Sequence, residues 1–198
     1  MTLLTVELKQ ALIIQSENHI NNVKSHLHFT PLIIADIGAN VGHYATALLN
    51  AYPSASVHSY EPHPDNLNEL YKIKNNRLHI YDYGLFNTGS NMNIGMREDG
   101  RNNNGTYGIY TTENSTTVQF KNANNELIRP DFIKMDVEGS ELYILQCEDF
   151  FKNTKAILIE LVYMDNFNQN SNVRAQLQKL GFEFLTNISK NDELWTKK

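Results

Sequence analysis

The chain has 198 residues, of which 41% are hydrophobic and 20% charged, and carries a formal net charge of −5. That length suits one domain with a full core, undivided by any linker-like stretch, and the acidic balance excludes the electrostatic footprint of a nucleic-acid binder. A single cysteine, Cys147, excludes an internal disulfide, and the lack of a membrane-length apolar run or signal-peptide layout leads us to expect a cytoplasmic protein.

In chain order, residues from Thr5 to Leu27 read as a helix, with Val6, Leu8, Leu12, Ile13, Ile20, Val23 and Leu27 spaced consistently with one apolar face. Residues 1–30 are therefore expected to form an N-terminal helical segment. His26 and His28 form an H-x-H pair, but without a nearby third ligand they read as exposed residues at a helix end. After Pro31, Ile33 and Ile34 begin an apolar run that does not alternate, the pattern of a strand buried on both faces of a parallel sheet. Asp36 closes it, and Gly38 and Gly42 flank the turn into a helix carrying Tyr44, Ala45, Leu48 and Leu49. Val57 to Tyr60 is the second strand and ends at Glu61. Pro62 and Pro64 stiffen its exit, and Asp65 reads as the N-cap of a helix with Leu67, Leu70 and Tyr71. Leu78 to Tyr81 is the third strand, followed by Asp82, Tyr83 and Gly84. This alternation of strands and helices indicates βαβ units.

From 87 to 130 the periodicity fades. Short pieces with strand character (Met92–Met96, Tyr107–Thr112, Thr116–Phe120) stand between Gly- and Asn-rich turns, so the stretch reads as an irregular hairpin insertion that walls a substrate pocket. Phe132 to Met135 is the next buried strand and ends in Asp136. Lys134 inside it requires a carboxylate partner, such as Glu160 or Glu141. A helix over Ser140–Phe150, a strand over Ala156–Leu161 and a helix over Val173–Leu180 closed by Gly181 follow. Phe182–Leu185 and Glu193–Thr196 form a closing hairpin, bringing the tally to seven strands in a single α/β domain.

The segment Leu32–Tyr44, LIIADIGANVGHY, is the chemical centre of the chain. Glycines let a ligand approach the main chain, and the following helix offers free N–H groups at its first turn. Glu61 lies about 25 residues past Asp36, where an acid bonds ribose hydroxyls. The spacing is not G-x-G-x-x-G, because Asp36 stands two before Gly38, and no basic residue serves a phosphate. A ligand with ribose and no phosphate fits better than a dinucleotide or an empty turn. S-adenosyl-L-methionine is such a ligand.

Together DIGANVGHY, SYEPHPDNL, DYGL and above all FIKMDVEGSELYIL resemble the FkbM family of S-adenosylmethionine-dependent methyltransferases, from about Ile33 to the C-terminus. The resemblance implies a Rossmann-like class I methyltransferase: a seven-stranded, mostly parallel sheet of order 3-2-1-4-5-7-6, helices on both faces, strand 7 antiparallel. It implies that Asp36, Gly38, Ala39, Asn40 and Gly42 surround the methionine part of the donor, with His43 and Tyr44 closing the loop. Glu61 would hold the ribose, Pro62 the adenine edge, and Asp82, Tyr83 and Gly84 would face the adenine. It also implies acceptors that are hydroxyls on sugars, glycans or small natural products.

Transfer to a hydroxyl requires a base within hydrogen-bond reach. Asp136 and Glu138, just past a strand end, are the catalytic candidates. Asp136 would alternatively bond the donor's amino group, and Glu138 would cap the next helix. His43 is a further base, or a packing residue at a helix start. Asp136, Glu138 and Glu160 lack the spacing of a metal site, so a metal-free reaction is favoured. A nicotinamide-dependent oxidoreductase and a non-catalytic donor-binding module are the competing readings. An N-P-P-Y or D-P-P-Y segment, the mark of amino methylation on nucleic acid, is absent from the end of the fourth strand.

Overall fold

The computed structural model describes residues 6–96, 107–109, 115–161 and 167–197. The first strands are β1 (Ile33–Ile37), β2 (Ser56–Tyr60) and β3 (Leu78–Tyr81). The stretch after β3 adds β4 (Gly84–Phe86), β5 (Ser90–Met96), β6 (Tyr107–Gly108) and β7 (Thr116–Asn122). The chain then gives β8 (Phe132–Met135), β9 (Ala156–Glu160), β10 (Glu183–Asn187) and β11 (Asp192–Thr196). Five helices are interspersed: α1 (Val6–His26), α2 (His43–Ala51), α3 (Pro64–Leu70), α4 (Glu141–Leu145) and α5 (Phe167–Lys179).

The main sheet has the order β3-β2-β1-β8-β9-β11-β10. Counted by its own seven strands, that is the expected 3-2-1-4-5-7-6, and β11 runs antiparallel to both of its neighbours. The missing alternation in these strands has a direct cause, because both faces are covered. Ile34, Val57, Phe132 and Leu158 pack against Ile20 and Val23 of α1, Leu48 of α2 and Leu70 of α3. Ile37, Ile133, Met135, Ile157 and Ile159 point the other way, against Ile144 of α4, Phe150, Phe151 and Val173 of α5. Each such fully buried side chain contributes about 1.5–3 kcal/mol. On α1 the apolar face is narrower than its sequence implies: Leu8 is exposed, and Ile20 and Val23 are the side chains buried on the sheet side.

Three boundaries differ from expectation. α3 starts at Pro64, whose fixed φ suits a first helical position, and His63 is the N-cap, its Nδ1 accepting the Asp65 N–H at 3.2 Å. α4 stops at Leu145. A 3₁₀ turn at Glu148–Phe151 follows, held by the Asn124 side-chain oxygen on the Phe150 N–H (3.2 Å), and it delivers both phenylalanines to the core. α5 begins at Phe167, six residues before the apolar periodicity becomes readable.

The four strands after β3 form a second sheet of order β4-β7-β5-β6. Its core is Ile94, Val118 and Phe120, flanked by Phe86 and Met92. The expected strand over Tyr107–Thr112 is represented by β6, and its residues 110–112 lie outside the described residues.

Candidate active site

The carboxyl ends of β1, β2 and β8 meet at the glycine turn. Gly38 has φ +79°, and a Cβ built there would lie 1.8 Å from the Asp136 carbonyl oxygen. Only glycine lets β1 and β8 come this close. The Gly38 and Ala39 N–H groups both donate to the Tyr60 carbonyl, at 3.0 and 3.1 Å, which ties the turn to the end of β2. Asn40 adopts a left-handed φ of 51° and folds its side-chain oxygen onto the Val41 N–H (2.7 Å). Gly42 (φ +89°) lies under Leu70 and Ile73, while Ala39 is buried in the core beneath.

Glu61 is buried at the end of β2. Its carboxylate accepts the N–H of Asn40 (2.7 Å), the N–H of His63 (2.8 Å) and the Asn66 amide (3.3 Å). Burial outweighs these bonds and lifts its pKa to about 7. A cleft opens here, lined by Gly38, Asn40, Glu61, Pro62, Asp136 and Glu138 on the main-sheet side. Ile94 and Phe120 of the second sheet, with Ile109 just past β6, form its opposite, apolar wall. Gly84 admits the Phe120 ring, which a Cβ would meet at 2.4 Å. Among the described residues no lysine or arginine lines this cleft, and its acid and apolar wall suit a ribose and a flat base with no phosphate between them. The residues present therefore fit S-adenosylmethionine.

Behind the turn lies a ladder of charges. Asp36 and Lys134 are in register on β1 and β8. Lys134 Nζ stands 3.2 Å from Asp136 Oδ2, 3.3 Å from the Gly38 carbonyl and 3.9 Å from Asp36 Oδ1, with the Tyr44 ring 4.6 Å away. The nearest partners of the buried lysine are thus Asp136 and Asp36, because the strand register brings Asp36 alongside it; of the two expected acids, Glu160 supports the ammonium from farther off. Burial works against the ammonium, yet Asp136 and Asp36 outweigh it and raise the Lys134 pKa. Asp36 itself is raised by burial, despite Lys134 and a bond from Ser59 (3.3 Å). Glu141 turns back to accept the Gly139 N–H (3.1 Å), and burial pushes it up to about 7.

Asp136 also faces a second cavity of about 370 Å³, on the α1 side of the sheet. Glu160, at the end of β9, and Asp192, at the start of the antiparallel β11, form its floor with Asp136; α1 and the turn between β10 and β11 wall it. The negative charge of Asp136, and then burial, raise the Glu160 pKa far above the carboxylate range, and the two side chains are hydrogen-bonded. His43 and Tyr44 open onto this cavity and not onto the first. Burial and Lys134 lower the His43 pKa to about 4, so it is neutral at physiological pH, and its Nδ1 has no partner among the described residues. The Tyr44 hydroxyl bonds His19 Nδ1 at 2.8 Å.

Of the residues singled out in the sequence, Gly38, Asn40, Glu61, Pro62, Gly84, Asp136 and Glu138 converge on the first cleft. Asp82 is exposed, and Tyr83 turns away to donate to Glu126 at 3.0 Å, so neither lines it. Sequence reasoning missed Asn66, Ser140, Ile109 and Phe120 on the first cleft, and His19 and Asp192 on the second. Asn66, in the same turn as Glu61, carried a local signal; the others did not.

Comparison with known proteins agrees with this geometry. A search of curated proteins finds no match. Among solved structures, the chain is similar to the precorrin-6y C5,15-methyltransferase of Geobacter metallireducens (TM-score 0.54, 12% identity, covering 100% of this chain and 92% of that one). It is also similar to human N-acetylserotonin methyltransferase in complex with SAM (0.51, 14%, covering 96% and 54%). Aeropyrum pernix fibrillarin with natively bound S-adenosyl-L-methionine is a third (0.53, 9%, covering 91% and 75%). At these identities the likeness is one of fold. The methyltransferase FkbM domain matches residues 36–184, from the acid at the end of β1 into β10. With that match over most of its length, the chain belongs to the FkbM family of S-adenosylmethionine-dependent methyltransferases.

Proposed function

We propose that the protein methylates a hydroxyl group on a sugar, a glycan or a small natural-product-like acceptor, with Asp136 as the general base. The observation that carries this reading is that Asp136 lines both cavities. A carboxylate between a donor cleft and a second, polar cavity is where an acceptor hydroxyl must lose its proton.

Residues of this chain have distinct tasks. Glu61 accepts the ribose hydroxyls, and the glycine turn with Asn40 surrounds the methionine end. Ile94, Ile109 and Phe120 cover the base and keep water off the cleft. When bound, the donor supplies an activated methyl group on a sulfonium. Lys134 holds the Asp136 carboxylate in place from below, and Asp136 takes the hydroxyl proton as the new O–C bond forms. Orientation of this kind supplies about 7–11 kcal/mol of a barrier. The acidic net charge disfavours polyanionic acceptors.

The test is transfer of a labelled methyl group from the donor to a panel of sugars and hydroxylated small molecules, with the product's methylated atom located by mass spectrometry. Asp136→Asn is expected to lose about 100-fold or more in turnover while keeping most of its donor affinity. Donor affinity falling in step with activity would assign Asp136 to the donor's amino group instead. Full activity in Asp136→Asn would reject both roles.

A further inference from the structure

The donor cleft lies inside the matched family segment, but the second cavity does not wholly do so. Its walls come from α1, which precedes residue 36, and from Ser189–Asp192, which follow residue 184. Among the described residues the two cavities share Asp136 alone. Part of what this second cavity offers a ligand therefore lies outside the matched segment, while its floor carries the base.

The chemistry of the floor is one-sided. Asp136 follows the end of β8, Glu160 ends β9 and Asp192 opens the antiparallel β11, with Met135 paired to Ile159 and Glu160 to Asp192. Their side chains form a row along the carboxyl edge of the sheet. Lys134 compensates Asp136 from beneath, but it is shared with Asp36. Asp192 accepts from Ser189, and His19 Nδ1 stands 3.9 Å away, already bonded to the Tyr44 hydroxyl. His43 has a buried Nδ1 without a partner among the described residues where it meets the cavity. Lys190 is exposed at the rim. Asp136, then burial and Asp192, raise the Glu160 pKa, and Lys134 offsets them only in part. A neutral guest leaves the crowding of Asp136, Glu160 and Asp192 as it is, whereas a cation stabilises their charged forms.

Resting on the hydroxyl-methylation reading, we propose that this second cavity is the acceptor site and that it recognises its acceptor through an ammonium group, as carried by amino sugars and amino alcohols. Glu160 and Asp192 hold the ammonium, and the acceptor's hydroxyl is thereby presented to Asp136. Leu12, Gln15 and His19 of α1 close over the guest. A cavity of about 370 Å³ accommodates a single sugar ring with space for a substituent.

The test uses the full chain loaded with S-adenosylhomocysteine. Glucosamine, galactosamine and ethanolamine are compared with their N-acetylated or neutral counterparts by ligand-observed NMR and calorimetry. The expected result is binding of at least one amine about 10-fold or more tighter than its neutral counterpart, with release of a proton as Glu160 ionises. Asp192→Asn should abolish the preference, and Leu12→Trp should block binding by filling the cavity. Both variants should keep the thermal shift given by S-adenosylhomocysteine, which shows that they are folded and that the donor cleft is intact. Failure of every amine to bind, equal binding of the neutral partners, or a preference that survives Asp192→Asn would overturn the proposal. Hydroxyl methylation of neutral sugars, untouched by Leu12→Trp, would overturn it while leaving the proposed function standing. A methyl group found on the amine nitrogen, with transfer blocked by Leu12→Trp, would uphold the cavity and overturn hydroxyl transfer.

Discussion

Glu61→Gln reports on the donor site through the pH dependence of stability. The Glu61 carboxyl has a pKa of about 7 in the fold against an ordinary value of 4.5, chiefly because it is buried. The folded state therefore holds its proton more tightly than the unfolded chain. The associated stability is fully present below about pH 4.5 and is lost as pH rises through about 7. A shift of this size corresponds to about 3 kcal/mol between pH 4.5 and about pH 8.5. Glutamine keeps the shape and cannot ionise. It offers one acceptor oxygen to the Asn40 and His63 N–H groups, which costs about 1–3 kcal/mol. That cost is the same at every pH, so it cancels when the two proteins are compared across the range. Urea unfolding of both at the two ends should show Glu61→Gln gaining about 3 kcal/mol on the parent as pH rises. The variant should also bind S-adenosylhomocysteine about 10-fold or more weakly, having lost hydrogen bonds to a charged acceptor. Parallel stability curves would refute the buried-carboxylate argument, and unchanged affinity would refute the ribose assignment.

S-adenosylhomocysteine at 100 times its dissociation constant should stabilise the fold by about 2.7 kcal/mol, measured as a shift in the unfolding midpoint. Gly38→Ala should cost about 2–5 kcal/mol, from a left-handed alanine together with overlap on the Asp136 carbonyl; an unchanged urea midpoint would contradict the close approach of β1 and β8. Lys134→Met should cost about 3–5 kcal/mol by leaving Asp36 and Asp136 without their cation. Adding Asp36→Asn should then recover part of that loss, whereas two losses that simply add would argue against the pairing.

The main sheet was legible because its strands lack alternation and each ends in a residue of distinct chemistry. Asp36, Glu61 and Asp136 stand just where the apolar runs stop, so the sequence exposes the catalytic edge as a set of punctuation marks. The nearest partners of Lys134 were not legible. Asp36 precedes it by 98 positions and reaches it only through the register of two parallel strands. The second cavity escaped for the same reason, since His19 and Asp192 come from opposite ends of the chain. Tyr83 sits in a segment that resembles an adenine contact, but Glu126 in a distant loop competes for its hydroxyl and wins. The Ser140–Phe150 helix was over-extended because Phe150 keeps an apolar period that a 3₁₀ turn serves equally well.

Among the described residues the two cavities meet at Asp136 alone, which has a consequence for the order of events in a catalytic cycle. One mouth is bounded by the second sheet and the other by α1, so neither guest has to pass the other to enter or leave. Such an arrangement imposes no compulsory sequence of arrival. Initial-rate plots should intersect whichever ligand is varied, with S-adenosylhomocysteine competing against the donor and the methylated product against the acceptor. Strictly ordered kinetics would require one mouth to close in response to the other, and the rim that joins them is fastened by hydrogen bonds. Gly38, Ala39 and the Tyr60 carbonyl fasten it on one side, and Lys134 on the other. Movement on binding is accordingly left to the walls, each serving its own guest.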